Sequence, residues 1–202
     1  LKKSIKNSKI LKNQLASTLK IIKKIKATRD KISKLNVNSD TAIKYYTSLN
    51  KNLIKSVFVS SYGLKSTIHN SYANLLLLKE KVGLERAVST NIFTLNKSLF
   101  GMKERWIKLI TEQDIYFEAF KVNASSKALK FYKKKMTNKN TETIHKMRKL
   151  VLNSHNIGGF NTDATYWFDT ITKKINLLKN IDDYIANELI MQSKKIKDNS
   201  KD

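Results

Sequence analysis

No proline occurs anywhere in the 202 residues, and glycine occurs only 5 times. An average chain carries about 5% proline. Proline removes a backbone donor and clashes with the preceding turn, while interior glycine costs helix entropy. A chain almost without either breaker is free to be helical along most of its length. Apolar residues make up 41%, which suits a globular core and not a disordered polycation. The expected fold class is all-α, an elongated antiparallel helical bundle forming one domain over residues 1–202.

Hydrophobic periodicity divides that bundle into helices. A first helix over about residues 3 to 36 carries Leu11, Leu15, Leu19, Ile22, Ile25, Arg29, Ile32 and Leu35 on one stripe. Asn36 to Asp40 is a turn with Ser39 and Asp40 as cap candidates. A second helix follows with Ile43, Tyr46, Leu49, Leu53 and Val57 on one face, either interrupted around Ser60 to Gly63 or running on to Leu75. In the segment LLLLKEKVGLERAVSTNIF, residues 75 to 93, the apolar row reads Leu75, Leu78, Val82, Arg86, Ser89 and Phe93, with Gly83 as a possible break. Residues 96 to 101 read as a loop, and a helix then carries Met102, Trp106, Leu109, Ile110, Tyr116, Phe117 and Phe120. Short helices are expected at about 124 to 137 and 141 to 153, the latter opened by Asn140 and Thr141. The stretch from His155 to Gly159 is the clearest loop. Asn161, Thr162 and Asp163 cap a last helix with Phe168, Ile171, Ile175, Leu178, Ile181, Ile185 and Leu189 on its stripe. Two helices of about 35 residues, each ~50 Å at 1.5 Å per residue, framing shorter ones bring both termini to one end. A receptor domain strung between two membrane helices needs that layout.

Cysteine is absent, which removes disulfides, thiolate metal sites and a cysteine nucleophile. His69, His145 and His155 show no ligand spacing, so no metal is expected. No nucleophile sits beside a base, no glycine-rich phosphate loop occurs, and no paired carboxylates mark a cleft. An enzyme is not expected, nor a cofactor. There is no signal peptide and no apolar run near the roughly 18 residues of a membrane span. A start at Leu1 in mid-helix reads as a domain excised from between flanking segments.

The formal net charge of +24 invites a nucleic-acid or lipid reading. The lysines, however, recur along the polar faces of every expected helix without one dense block. A solvated basic surface with salt-dependent, nonspecific polyanion binding follows, with no specific nucleic-acid partner.

Only four of the 40 basic residues are arginines: Arg29, Arg86, Arg105 and Arg148. Where lysine serves nearly everywhere, arginine marks places needing a planar, always-charged fork of donors. Arg29 and Arg86 both fall on inward rows, where a lone cation costs several kcal/mol or more unless it is paired or holds an anion. Two readings stand for them. They contact a small anion, or they pair internally, Arg29 with Asp30 or Asp40 and Arg86 with Glu80 or Glu85. Arg105 and Arg148 read as surface residues.

Three stretches resemble the nitrate- and nitrite-sensing domain family of bacterial chemoreceptors, histidine kinases and transcription antiterminators. They are YYTSLNKNL (45 to 53), LKEKVGLERAVSTNIF (78 to 93) and YWFDTITKKINLL (166 to 178). The likeness covers most of the chain, and the GLERA stretch is its most specific part. It implies two stacked four-helix bundles, with nitrate or nitrite held between helices by arginines. Arg86 matches the family's GxERA arginine. Arg29 lies where first helices of the family often carry one, although the family's QKERG pattern is replaced here by KATRD, residues 26 to 30. Ser89 and Thr90, one turn after Arg86, offer hydroxyls to the anion, or bond back to helix carbonyls. Tyr45, Tyr46 and Asn50 would close the pocket from the second helix, core packing being the other reading for the two tyrosines. Trp167 and Phe168 read as a staple at the start of the last helix.

These readings converge on the periplasmic ligand-binding domain of a transmembrane receptor of the bacterial inner membrane, a methyl-accepting chemotaxis protein first and a histidine kinase next. Its expected partners are a small anion, a second copy in the full-length receptor, and the membrane through flanking helices. The alternatives are a basic helical module for an anionic polymer or lipid surface, and a ligand-free structural bundle.

Overall fold

A computed structural model describes the backbone of residues 2–60, 67–154 and 158–198. Among these residues it is all-α, with eight helices and one isolated antiparallel bridge, Lys97 to Gly158. The helices are α1 (Lys2–Ile22), α2 (Ile25–Ser33), α3 (Ser39–Ser60), α4 (Thr67–Thr94), α5 (Met102–Asn123), α6 (Ser126–Met136), α7 (Lys139–Asn153) and α8 (Ala164–Asp198). The chain divides into two compact units, Leu1–Ala73 and Asn74–Asp202. The expected interruption around Ser61 and Gly63, and His155 in the later loop, lie outside the described residues.

In the first unit the expected single opening helix is broken at Lys23 and Lys24. Lys20, Lys23, Lys24 and Lys26 crowd successive turns there at i,i+3 and i,i+4 spacing, where like charges repel. The seam also differs from the expected stripe. Leu15 and Leu19 are 44% and 55% exposed, and the buried residues are Gln14 and Thr18, one position earlier. They meet α3 through hydrogen bonds. Gln14 Nε2 donates to the Asn52 carbonyl at 3.2 Å, and the hydroxyls of Thr18 and Ser56 are 3.2 Å apart. Tyr45 closes the far end, its hydroxyl donating to the Ile21 carbonyl at 2.8 Å. The pairing is antiparallel: Tyr45 near the start of α3 meets Ile21 at the end of α1, whereas Asn52 and Ser56, further along α3, meet the earlier Gln14 and Thr18. Helix α2 ends with Leu35 in the left-handed region at φ 56°, and the Asn36 N–H bonds back to the Lys31 carbonyl. That is the geometry glycine usually supplies at a helix C-terminus. The cap of α3 is Asn38, whose Oδ1 accepts from Thr41 N at 2.8 Å, and not Ser39 or Asp40.

The second unit has a larger, drier core. Leu75, Leu78, Val82, Ile92 and Phe93 of α4 are buried, as are Trp106 and Phe120 of α5, Ile144 and Val151 of α7, and Trp167, Ile171, Leu178, Ile181 and Ile185 of α8. Gly83 does not break α4, which runs unbroken from Thr67 to Thr94. The buried face supplies enough packing to outweigh glycine's roughly 1 kcal/mol helix penalty. Asn138, rather than Asn140 or Thr141, caps α7 by accepting from Thr141 N at 3.1 Å. Asp163 caps α8 by accepting from Tyr166 N at 2.5 Å.

One close approach sets where α8 begins. The Gly159 N–H donates to the Asn96 carbonyl at 3.0 Å, and Asn161 N donates to Asn96 Oδ1 at 2.9 Å. A Cβ on Gly158 would stand 2.4 Å from that carbonyl oxygen, so only glycine fits. Phe93 then packs on Trp167 with ring centroids 5.3 Å apart, and edge-on to Phe160 at 6.2 Å. This places the first turns of α8 beside the second half of α4.

Candidate functional site

The inward charged position of the GLERA stretch is Glu85, not Arg86. Counting from Leu75, the buried row runs Leu75, Leu78, Val82, Glu85, Ser89 and Ile92. A shift of one residue is about 100° on a helix, and it turns Arg86 toward the flank.

Glu85 is fully buried and is held by hydrogen bonds from two other helices, with a third joined through Gln113. Its Oε1 accepts from Arg148 Nε on α7 at 2.7 Å, and its Oε2 accepts from Arg148 Nη2 at 2.6 Å. Gln113 on α5 donates to Oε2 at 2.8 Å. The Gln113 Oε1 accepts in turn from Arg148 Nη2 at 2.9 Å and from Lys174 Nζ on α8 at 3.3 Å. One side chain from each of four helices thus forms a single polar layer. Burial pushes the Glu85 carboxyl up, but Arg148, Lys174 and Gln113 together bring it below its ordinary value. Burial and the neighbouring Arg148 push Lys174 down to about 8, against the attraction of Glu85 and Asp114. Arg148, expected at the surface, is only 6% exposed, because its bidentate pairing with Glu85 offsets the cost of burial.

Since Glu85 is committed to Arg148, it does not pair with Arg86. Arg86 is half-buried, with no carboxylate partner among the described residues. Burial lowers its pKa. Its Nη1 donates to Thr172 Oγ1 at 2.9 Å, and its Cζ lies 4.6 Å from the centroid of the Phe168 ring. Phe168, expected on the inward stripe of the last helix, is 41% exposed, and Trp167 takes the buried position. Ser89 is buried with its Oγ lacking a hydrogen-bond partner among the described residues, an uncommon state for a polar atom. Thr90 donates to the Arg86 carbonyl at 2.7 Å, the back-bonding reading of that residue. Arg86, Ser89 and Thr90 therefore share two turns of α4 in the second unit.

The remaining candidates belong to the first unit. Arg29 is exposed on α2, a helix that buries none of its residues, and so does not take the inward position expected for it. Tyr46 is half-buried on α3, edge-on to Tyr45 at 5.4 Å, and Asn50 is half-buried one turn later.

Among the described residues no cluster of histidine and acidic side chains has metal-ligand geometry. No helix there is long and apolar enough to cross a membrane.

The fold has a solved counterpart. The structure of the NasR transcription antiterminator matches 92% of this chain with a TM-score of 0.79 at 14% sequence identity. The chain spans about half of that protein, 51% of its length. Among curated proteins none matches the sequence. The sequence profile described as nitrate and nitrite sensing matches residues 2–190, and the chain belongs to that family.

Proposed function

We infer that the chain is a sensing domain that binds nitrate or nitrite through Arg86. One observation carries the reading: a half-buried guanidinium, in the most family-specific stretch of the chain, without a carboxylate partner among the described residues. A guanidinium is weakly hydrated and planar, and it meets planar oxyanions with paired donors. Ser89 Oγ is a nearby donor in sequence with no hydrogen bond of its own among the described residues. Thr90 can only accept there, because its proton is committed to the Arg86 carbonyl. Arg29, Tyr46 and Asn50, the other candidates of the sequence, are to be tested separately by substitution.

The parent protein is a transmembrane receptor of the bacterial inner membrane, first a methyl-accepting chemotaxis protein, with this domain in the periplasm and a second copy beside it. The antiterminator has the same fold with a different output. In the receptor, the anion would favour one placement of the helices that contact it. The long α8 would carry that displacement out of the domain. Switches of this kind have coupling energies of about 1–3 kcal/mol, so a small movement suffices.

The test is a thermal-shift screen of the purified chain against nitrate, nitrite, chloride, formate and small carboxylates at one fixed ionic strength. Fixed ionic strength removes the nonspecific salt response of a +24 chain. A specific anion at about 100 times its Kd should stabilise the fold by about 2.7 kcal/mol. The stabilisation should disappear in Arg86→Gln. Equal shifts for all the anions would instead favour the basic surface module.

A further inference from the structure

Arg86 touches the start of α8 at three points. Its carbonyl oxygen accepts from Trp167 Nε1 at 3.4 Å, its Nη1 donates to Thr172 Oγ1 at 2.9 Å, and Phe168 covers one face of the guanidinium. Phe168 and Thr172 are four residues apart and so share one face of α8. Thr172 gives its own proton to the Phe168 carbonyl at 2.6 Å. Its hydroxyl therefore offers only lone pairs to Arg86, which fixes the direction of that bond.

The guanidinium is thereby oriented. One nitrogen is committed and one face is stacked, while Nε and Nη2 make no hydrogen bond to a described residue. These two nitrogens carry parallel N–H groups, the fork that receives two oxygens of one planar anion. A spherical halide gains little from such a fork. Phe168 is partly exposed for the same reason: it covers the arginine rather than filling the core.

We propose that Phe168 and Thr172 are positioning residues that hold Arg86 edge-on, so that the site selects planar anions offering two oxygens over halides. The favoured class includes nitrate, nitrite and formate, and chloride is the excluded case. The proposal rests on Arg86 contacting the anion, as inferred above. It adds that selectivity resides in α8, two helical turns of which grip the arginine.

The test compares nitrate and chloride affinities of the purified chain with those of Phe168→Leu, Thr172→Val and Thr172→Ser. Phe168→Leu and Thr172→Val should each weaken nitrate about tenfold, roughly 1.4 kcal/mol, and leave chloride unchanged. Thr172→Ser keeps the acceptor and should retain selectivity. If both disruptive variants bind nitrate with an unchanged nitrate-to-chloride ratio, the proposal is overturned. If Arg86→Gln binds nitrate as the parent does, the underlying reading fails instead. A measurement on the unmodified chain covers the case of a variant that does not fold. With four arginines, the Nε–H signals are separable by nuclear magnetic resonance. Nitrate should move the Arg86 signal and chloride should not. Equal movement by chloride overturns the selectivity. Movement only at Arg29, Arg105 or Arg148 sinks the reading of Arg86.

Discussion

The two units solve the same packing problem with different chemistry. Between α1 and α3 the buried contacts are neutral and small: Gln14 and Thr18 against Asn52 and Ser56. Leu15 and Leu19 of α1 face outward. In the second unit, large apolar side chains surround a buried charged layer, Glu85 with Arg148, Gln113 and Lys174. Neutral hydrogen bonds contribute about 1 kcal/mol each and tolerate loss. A buried charge adds little net stability while paired and is costly once its partner goes. The first unit should therefore be soft and forgiving, and the second rigid and intolerant at one layer.

Removing the hub of that layer gives the largest expected effect. Glu85→Gln strips the charge that Arg148 and Lys174 share, and should cost about 3–5 kcal/mol in urea unfolding. A loss below about 1 kcal/mol would mean that the layer is wetter than its burial indicates. Lys174 gives the next effect, through pH. Its folded pKa is pushed down to about 8, below the roughly 10.4 of an exposed lysine. Between those values the unfolded chain binds the extra proton, so stability should rise with pH from about 8 to 10. The slope should be on the order of 1 kcal/mol per pH unit. Lys174→Met should flatten this slope; a slope that persists in the variant would assign it to other groups.

Smaller effects belong to the first unit. Gln14→Ala should cost only about 1 kcal/mol, and amide exchange should be faster in α1 and α3 than in α4 and α8. Equal protection in both units would erase the contrast. Smallest of all, Leu35→Gly should stabilise by roughly 0.5–1 kcal/mol by relieving the left-handed turn at φ 56°. No gain in melting temperature would show that the turn is not strained.

The absence of proline made the helical class legible, and most helix ends fell within a few residues of the capping signals. The inward rows were harder, because a one-residue slip on a helix keeps the spacing and changes the face. On α4 that slip exchanged Glu85 for Arg86, and on α8 it exchanged Trp167 for Phe168. The signal for the polar layer was nevertheless present. Trp167, Ile171, Lys174, Leu178 and Ile181 keep a 3/4 spacing through the lysine, and Ile144, Arg148 and Val151 do so through the arginine. Four ionic or polar residues from four helices become one site only when the helices are assembled, and no local pattern encodes that meeting. Arg86 was legible from its motif. Its Thr172 and Phe168 contacts, 86 and 82 residues away, were not.

Titrating nitrate calorimetrically into the purified chain and into Arg86→Gln, at one ionic strength, tests the central claim most directly. The expected result is saturable one-site binding in the parent and none in the variant, with the melting curves of both proteins showing an intact fold. Indistinguishable isotherms from the two proteins, or no saturable heat from the parent, would contradict an anion site at Arg86.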